Sequence, residues 1–434
     1  MYPLHFLNPP EAAGRRTCKE EIIRMKRIVS LLLCLTLVLS TAASLAVTIN
    51  PAENRGIKVD KVEPNVWEDS RVSPTTGRIL ENVKASAPAD GFTGLAITGR
   101  YMPMLVQIDN AEGGIGYDKD GKYTGKRAPW GAEYTDVIYE TPLYKQGDTR
   151  LTFLFSDLIP DSVGPLRSAR LFHAWLREEW DCGFIFSGQQ EYTETNVPAV
   201  FKETGADEKG WVKDAEGKVL DGAGVLFLGT VGSSKPWKQY FDVYEKIKLQ
   251  KPHDKTVNAA AVSSLILDDF QAANHTWLFT DGDPDWDDDA EEIYVNWANG
   301  KLGYYNSYLE YDEDDGVYYR YMQDLVNEKK NWEYKTLKIK NKLEEASIPF
   351  ANVIVQFTQM DWVRTDAPKP TVLGTGNADF FQKGKHMAGM WRRDTLSDRT
   401  VFYDENGEEL KLQRGRTLII VMDYEYEHRS VSYE

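Results

Sequence analysis

The chain has 434 residues, 42% of them apolar, and a formal net charge of −16 at pH 7. Such an acidic chain excludes binding to nucleic acid or to anionic lipid through bulk electrostatics, so an anionic ligand would need a local basic site. The length and the apolar fraction are sufficient for two hydrophobic cores.

The first 46 residues show the pattern of an export signal. After Met25, the positive pair Lys26 and Arg27 precedes an apolar run over Ile28–Leu39 and small residues at Ser44–Ala46. We therefore interpret Met25 as the start and expect the signal to be cut after residue 46. The apolar run is shorter than the roughly 20 residues that a spanning helix needs, which makes a retained anchor the less favoured alternative.

Processing determines where the mature chain resides and which cysteines it keeps. Of three cysteines only Cys182 remains, so the mature chain has no internal disulfide. The first 46 residues hold six Lys/Arg and three Asp/Glu, so the mature net charge is −19. Leu33 before Cys34 is too bulky for a lipid-attachment motif. We expect a secreted or cell-surface, extracytoplasmic protein. It would attach to the membrane only through an uncut signal, or through a lipid anchor at Cys34 that the bulky Leu33 disfavours.

The first half of the mature chain predicts an α/β domain. Residues 47–95 are polar with scattered prolines, which predicts a flexible lead-in. Strand and helix patterns then alternate from 96 to 264, which predicts a mixed sheet with helices. The predicted elements are strands Met104–Ile108, Thr135–Thr141, Leu151–Phe155 and Phe184–Phe186, a helix Ser168–Trp180, and a helix that begins at Asn196 with Pro198 in its first turn and Gly205 past its end.

Residues 265–425 predict a mostly β domain, because short strand patterns alternate with turn sequences such as Asp314-Asp315-Gly316. The predicted strands are Trp277–Phe279, Ile293–Trp297, Gly303–Tyr311, Val317–Met322, Val353–Phe357, His386–Arg392 and Thr417–Met422. The predicted fold class is therefore α+β, with an α/β-type domain followed by a β-rich domain.

A basic segment, Val163–Arg170, lies between a predicted strand and a predicted helix. Ser168 is a plausible N-cap, which would put Arg167 and Arg170 at the start of the helix. Free amides and two guanidinium groups at such a position form a site for a carboxylate or a phosphate. The alternative is that both arginines pair with internal acids, such as Glu140 or Asp109, and hold the domain together.

This segment belongs to a longer pattern that resembles the YerB-like family of exported bacterial proteins, a domain of unknown function (DUF3048) in N- and C-terminal parts. The matching pieces are VQIDN at 106–110, AEYTDVIYE at 132–140, Thr149-Arg150, GPLRSAR at 164–170, Pro252-His253, Tyr318–Arg320, NVIV at 352–355 and GTGNADFFQKGKHMAGMW at 374–391. The resemblance covers about residues 100–422. It implies an α/β first part, a β-rich second part and a place at the cell envelope, often through a lipid anchor, but no established activity.

The chain departs from the family pattern in ways that bear on mechanism. Many relatives have a histidine where this chain has Phe186, so a mechanism that uses that histidine could not operate here. The family's Pro-His-Asn reads Pro252-His253-Asp254. The poor lipid-attachment motif at Cys34 is a third departure.

The candidate site consists of polar residues from these pieces. Most of them lie at ends of predicted strands, where open α/β sheets bind their ligands. They are Asp109, Asn110, Glu140, Arg150, Arg167, Ser168, Arg170 and His253. In this hypothesis the arginines clamp an anionic group, Asn110 orients a neighbour, and Glu140 or Asp109 is the general base of any reaction. The alternative is a buried salt-bridge network that stabilises the fold.

Catalytic and metal signatures are weak or missing. The sequence has no Gly-x-Ser-x-Gly, His-Glu-x-x-His, phosphate loop or Cys-x-x-Cys. We expect Cys182 to pack rather than react, and His173 to lie at the surface, with the cleft as its alternative. No cofactor is predicted, but a calcium loop is a weak candidate because Trp286 replaces its glycine, and a solvated hairpin tip explains the same residues. Its spacing is that of Asp281, Asp283, Asp285, Asp287, Asp289 and Glu292.

These features predict recognition rather than catalysis. The predicted function is that of a cell-envelope protein whose arginine-lined cleft binds an anionic ligand or a cell-wall component. The expected partner is a cell-wall component or an envelope protein, and no nucleic acid is expected. The alternative is a hydrolase or transferase that acts on cell-wall polymer with a carboxylate general base. Missing nucleophile and metal motifs favour the first interpretation.

Overall fold

The computed structural model describes most of the chain beyond the predicted export signal. The described residues are 46–88, 90–110, 129–145, 147–206, 212–213, 216, 219–220, 226–228, 236–243, 255–266, 270, 272–273, 275–298, 306–322, 335–340, 342–423 and 429–434. The predicted signal peptide, Cys34 and the predicted site residue His253 lie outside the described residues. Within them, no helix is long and apolar enough to cross a membrane.

Strands dominate the described chain. The helices are α1 (Leu80–Ser86), α2 (Leu95–Thr98), α3 (Leu171–Trp180), α4 (Val197–Thr204) and α5 (Ala259–Ser263), with 3-10 turns at Ala132–Tyr134 and Pro236–Tyr240. The strands are β1 (Val47–Thr48), β2 (Phe92–Thr93), β3 (Met104–Asp109), β4 (Val137–Pro142), β5 (Thr149–Phe155), β6 (Ile159–Pro160), β7 (Gly183–Phe186), β8 (Glu191–Tyr192), β9 (Thr195–Asn196), β10 (Val212–Lys213), β11 (Val219–Leu220), β12 (Leu226–Leu228), β13 (Phe241–Val243), β14 (Lys255–Val257), β15 (Leu278–Thr280), β16 (Asp288–Asp289), β17 (Glu292–Asn296), β18 (Ser307–Asp312), β19 (Val317–Met322), β20 (Lys335–Lys340), β21 (Lys342–Ser347), β22 (Pro349–Phe350), β23 (Asn352–Thr358), β24 (Met360–Arg364), β25 (Ala367–Pro370), β26 (Gly374–Gln382), β27 (Lys385–Arg393), β28 (Val401–Tyr403), β29 (Lys411–Gln413), β30 (Thr417–Asp423) and β31 (Ser430–Tyr433).

A mixed sheet of eleven strands forms the centre of the fold. Its order is β12-β7-β3-β5-β4-β30-β23-β26-β27-β16, and β28 pairs with β27. Strands β12, β7 and β3 are parallel, as are β4, β30 and β23, while β5 runs antiparallel between β3 and β4. Strands β3, β4, β5, β23 and β30 are buried along their whole length, as expected of strands covered on both faces.

Each face of the central sheet has its own hydrophobic core. One core includes Val106 and Val355 of the central sheet together with Ile293 of a six-stranded antiparallel sheet, whose order is β1-β31-β17-β18-β19-β22. The other core includes Leu105 of the central sheet and residues of α3 and α4, among them Trp180. Neighbouring residues of β3 enter opposite cores because successive side chains of a strand point to opposite faces. The fold is therefore a β-rich α+β arrangement with a mixed central sheet.

Strands from both predicted domains lie in the central sheet. Parallel pairing of β4 with β30 joins the two halves, with Glu140 opposite Ile420. Residues 47–434 form one compact unit. The expected boundary at 264/265 therefore does not separate two sheets, because pairing between strands so distant in sequence has no local signature.

Residues 47–95, for which the sequence predicts a flexible lead-in, follow a described path and include α1 and a buried turn. The hydroxyls of Ser73 and Thr76 donate to Asp157, at 2.6 Å and 2.8 Å. Arg78 Nη2 lies 2.8 Å from Asp136 Oδ1 and 3.1 Å from Asp157 Oδ2. This carboxylate–arginine cluster attaches a polar segment with hydrogen bonds and ion pairs, which hydrophobic periodicity does not reveal.

The helix predicted to begin at Asn196 is confirmed, since α4 starts one residue later. The Asn196 side chain accepts a hydrogen bond from the Ala199 N–H at 2.9 Å, and Pro198 lies in the first turn. Gly205 ends the helix in the left-handed conformation with φ of 69°. Local capping chemistry was therefore sufficient to locate this helix.

Candidate functional site

Polar residues collect at one edge of the central sheet, where its parallel strands end. Asp109 ends β3, Glu140 lies near the end of β4, and Arg150 lies near the start of the antiparallel β5, opposite Asp109. The basic segment 164–170 follows this edge, since the Asp109 N–H donates to the Pro165 carbonyl at 2.8 Å. It is the edge at which open α/β sheets bind their ligands.

Asp109 and Arg167 form an ion pair. Arg167 Nε lies 3.0 Å from Asp109 Oδ2, and the carboxylate is fully buried while the arginine side chain is 25% exposed. The backbone holds Arg167 in place, since its N–H donates to the Gln107 carbonyl at 3.0 Å and its carbonyl accepts from the Ser187 N–H at 3.0 Å. Asp109 therefore positions Arg167, which keeps one side open to solvent.

Glu140 lies in a buried network. Its Oε2 is 2.6 Å from Arg320 Nη2, and its Oε1 accepts a hydrogen bond from the Thr149 hydroxyl at 2.8 Å. The Asn110 amide donates to the same hydroxyl at 2.7 Å. Burial raises the pKa of Glu140, and the Arg320 charge and the Thr149 hydrogen bond oppose this effect. Both carboxylate oxygens are thus engaged, as the salt-bridge alternative describes.

Arg170 differs from its neighbours in its partners. Its Nη1 donates to the Ala169 carbonyl at 3.2 Å and, unlike Arg167, it forms no ion pair with a carboxylate among the described residues. Its buried Nε, like that of Arg167, has no hydrogen-bond partner among the described residues. Burial lowers the pKa of Arg170, although Tyr144 and Asp366 act in the opposite direction. A half-buried guanidinium with an unpaired nitrogen is a site for an anionic group, which would supply the missing hydrogen bond.

A neutral histidine lies beside this guanidinium. His173 is buried, and its Nδ1 accepts from the Arg170 backbone N–H at 2.9 Å. Its Nε2 therefore carries the proton and faces the Thr141 hydroxyl at 3.2 Å. Burial, together with Arg150 and Arg170 nearby, lowers the pKa of His173 well below 6.5. The sequence favoured a surface position for this histidine, which is wrong because α3 turns it toward the sheet.

The basic segment is extended rather than helical, so Ser168 is not the N-cap. Ala169 pairs with Gln189, and its N–H donates to the Gly188 carbonyl at 2.9 Å. This pairing delays the start of α3 to residue 171. The Ser168 hydroxyl instead donates to the Ser187 carbonyl at 3.2 Å. Both arginines therefore precede the first turn of the helix, which begins at Leu171.

A lysine extends the basic surface. Lys255 Nζ donates to the Ser187 hydroxyl at 3.2 Å, next to the Ser168 contact. Residues 164 and 255 pack closely, because a Cβ on Gly164 would lie 2.7 Å from the Lys255 carbonyl oxygen and would overlap the Trp130 ring. The candidate cleft therefore presents Arg167, Arg170 and Lys255 with two serines.

A hairpin of β24 and β25 borders the same edge. The Lys145 N–H donates to the Thr365 carbonyl at 2.8 Å, and the Tyr192 hydroxyl donates to Asp366 Oδ2 at 3.2 Å. The Gln190 side-chain amide donates to the Asp366 carbonyl at 3.0 Å, and the Gln190 N–H donates to the Ala169 carbonyl at 3.2 Å, so the hairpin tip lies near the residue that precedes Arg170. A cavity of about 570 Å³ lies along the hairpin and is lined by Lys145, Gln359, Met360, Asp361, Trp362, Thr371 and Asp423.

The carboxylates of the calcium-loop candidate have cationic partners. Asp281 lies 2.9 Å from Arg414 Nε, Asp283 pairs with Lys383, and Asp289 lies 2.6 Å from Lys385 Nζ. These partners lie on different elements. Within the described part of the chain, no group of three or more histidine, cysteine, aspartate or glutamate side chains is arranged to hold a metal ion.

Comparison with known proteins decides the family. Residues 119–248 match the family described as protein of unknown function (DUF3048), N-terminal domain, and residues 293–419 match its C-terminal domain. The chain belongs to the DUF3048 family. Its fold is similar to the crystal structure of the YerB protein from Bacillus subtilis, with a TM-score of 0.55 and 15% identity over 83% of this chain and 99% of that one. At this identity the likeness shows the fold alone. A comparison with curated proteins gave no match.

Within this family pattern, the described site residues lie at one edge of the sheet but have different environments. Phe186, the position at which the family resemblance leads one to expect a histidine, is buried against Phe184 and Phe201. Sequence reasoning missed Arg320 as the partner of Glu140, although the YYR piece at 318–320 belongs to the pattern. An arginine between tyrosines in a predicted strand was the available signal that a buried carboxylate partner had to be found.

Proposed function

We propose that this chain is an exported, extracytoplasmic protein of the cell envelope that binds an anionic group through the cleft formed by Arg167, Arg170 and Lys255. One observation carries the proposal: the half-buried guanidinium of Arg170, unlike that of Arg167, has no ion-pair partner among the described residues, and its Nε has no hydrogen-bond partner there. Arg167, Lys255 and the Ser187 hydroxyl, which accepts from Lys255 and keeps its own hydrogen, supply further donors. The export pattern of the first 46 residues supports the location, and a cell-wall component or an envelope protein is the expected partner.

The binding chemistry follows from the donors. A carboxylate or phosphate accepts charge-assisted hydrogen bonds from a guanidinium, and such bonds are about twice as strong as neutral ones. The half-buried position of Arg170 strengthens the attraction, because solvent screens it less than it screens a surface charge. His173 stays neutral beside it, so its Nε2–H does not add a charge that would vary with pH. The cleft is therefore suited to hold an anion over the whole physiological pH range.

Binding of the mature chain from Val47 to isolated cell wall and to its soluble anionic fragments tests the proposal. We expect Arg170→Gln to weaken binding at least tenfold, because the variant loses the charge and the free donor. Arg71→Gln is the matched control, since this arginine is exposed and pairs only locally with Asp69. Equal binding by both variants, each with an unchanged unfolding transition, would show that the cleft is not the binding site.

A reaction on cell-wall polymer is the second candidate, because burial raises the pKa of Glu140 as a general base requires. The ion pair with Arg320 and the contact with Thr149 act against this role. Turnover of soluble wall fragments by the wild type and by Glu140→Gln separates the two functions. Turnover that the substitution abolishes would favour catalysis, whereas binding without turnover supports recognition.

A further inference from the structure

The edge of β24 offers backbone groups next to the cleft. Strand β24 pairs with β25 and with no other described strand. Met360 lies opposite Pro370 and Trp362 lies opposite Pro368. Because proline has no N–H and paired residues alternate between bonded and non-bonded positions, Met360 and Trp362 occupy the non-bonded positions. Their N–H and C=O groups therefore point away from β25, toward the edge of β24 that no other described strand covers, which we call the free edge.

This free edge runs between two polar ends. At one end, Gln190 links the hairpin tip at Asp366 to Ala169, the residue before Arg170, through hydrogen bonds of 3.0 Å and 3.2 Å. At the other end, Met360 and Trp362 line the cavity. From Met360 to Arg364, four steps of about 3.3 Å give β24 a span of at most about 13 Å, the length of an extended tetrapeptide, and the irregularity between Trp362 and Arg364 shortens this span.

The cavity wall contains hydrogen-bonding groups of both kinds. Lys145 provides an ammonium, Asp361 a carboxylate, Gln359 an amide and Thr371 a hydroxyl, and all are exposed. The Trp362 indole N–H donates to Asp423 at 2.7 Å, which fixes the ring against the cavity. Such a lining suits the alternating donors and acceptors of a peptide backbone. The Asp361 carboxylate can also pair with a positively charged group of the peptide.

We infer that the anionic ligand of this cleft is a short extended peptide with a free carboxyl terminus, which lies along β24 with its carboxylate on Arg170 and its other end in the cavity. The inference rests on the proposed function and names its ligand class. An unpaired strand edge recognises peptides through main-chain hydrogen bonds, and a sugar or a free phosphate offers no such ladder. The guanidinium then fixes the direction of the bound peptide.

The test uses the mature chain, immobilised, and an equimolar pool of tetrapeptide free acids and their carboxyl-terminal amides, with mixed side chains of both chiralities. Mass spectrometry of the retained fraction measures enrichment. We expect free acids to be enriched at least tenfold over amides, and N-methylation of alternate peptide bonds to remove the enrichment. Arg170→Gln should abolish it, whereas Arg71→Gln should retain it.

Two control ligands, acetate and inorganic phosphate, separate the failure of this inference from the failure of the proposed function. Retention of these small anions by wild type but not by Arg170→Gln, with no enrichment of peptides, overturns the peptide inference and leaves the proposed function standing. Retention of neither small anions nor peptides overturns both. Equal enrichment of acids and amides would show that the peptide does not place its carboxylate on Arg170.

Discussion

Asp136 makes the stability of the fold depend on pH. Its carboxylate is fully buried, and its Oδ2 accepts hydrogen bonds from the Ser156 N–H at 2.6 Å and the Asp157 N–H at 2.9 Å. Two carboxylates, Asp136 and Asp157, share the single guanidinium of Arg78. Burial and the Asp157 charge raise the pKa of Asp136 from 3.8 to about 7.

The raised pKa of Asp136 determines whether the stability of the fold rises or falls with pH. Because the pKa of Asp136 is higher in the folded state than in the unfolded state, the folded state holds the proton more tightly. The stability that this proton contributes is fully present below about pH 4, and it is lost as the pH rises through about 7. At about 1.4 kcal/mol for each pH unit between the two pKa values, the loss is about 4 kcal/mol in total, of which about 3 kcal/mol falls between pH 5 and pH 8.

Asp136→Asn isolates this contribution. The amide keeps an oxygen for the backbone donors and removes the charge, so the free energy of unfolding of the variant should lack this loss. Urea denaturation followed by tryptophan fluorescence at pH 5, 6, 7 and 8 gives the difference between variant and wild type. We expect it to change by about 3 kcal/mol in favour of the variant across this range. Asp285→Asn, at an exposed position, controls for the loss of a carboxylate. A difference that stays constant within about 0.5 kcal/mol would refute the reasoning.

Three further predictions concern packing and charge. Arg320→Met should lower the free energy of unfolding by about 3–5 kcal/mol in urea titrations because it leaves Glu140 buried without its cation, and adding Glu140→Gln should recover part of the loss. Gly389→Ala should cost at least about 1–3 kcal/mol because its methyl group would overlap the Tyr403 carbonyl oxygen, whereas Gly282→Ala, whose methyl group would make only a van der Waals contact of 3.4 Å with the Thr280 hydroxyl, should stay within about 0.5 kcal/mol. The ring nitrogens of His173 should keep the NMR shifts of the neutral Nε2–H form from pH 5.5 to pH 8, because burial and two arginines lower its pKa; a titration midpoint above pH 6 would contradict the site description.

Local chemistry accounts for the elements that the sequence predicted correctly. The helix after Asn196 has its cap, its first-turn proline and its terminal glycine within ten residues. All residues that determine its two ends are therefore close together in the sequence. The strand Val317–Met322 was predicted at its observed bounds because alternation and a turn sequence define it. Such elements need no knowledge of their partners.

Distant pairing accounts for what the sequence did not show. Glu140 and Arg320 come from different predicted domains, and only the stacking of the two sheets brings them together. Parallel pairing of β4 with β30 likewise unites the halves in one sheet. The turn at Ser73 is attached by hydrogen bonds to a buried aspartate, and its polar composition resembles that of a linker. Composition and periodicity predict which residues of a segment are buried or exposed, but they do not predict which other segment it packs against.

The sequence assigns the same role to the two arginines of the basic segment, but backbone pairing places them in different environments. The pairing of Ala169 with Gln189 keeps the segment extended, so Arg167 reaches Asp109, while Ala169, the residue before Arg170, is linked through Gln190 to the hairpin tip. Arg167→Gln should therefore lower the free energy of unfolding by about 2–3 kcal/mol, somewhat less than a fully buried pair because the arginine is partly exposed. Arg170→Gln should leave unfolding nearly unchanged and weaken anion binding instead. If both substitutions destabilise the fold equally, the two arginines are structural together, and ligand binding has to be sought elsewhere on the chain.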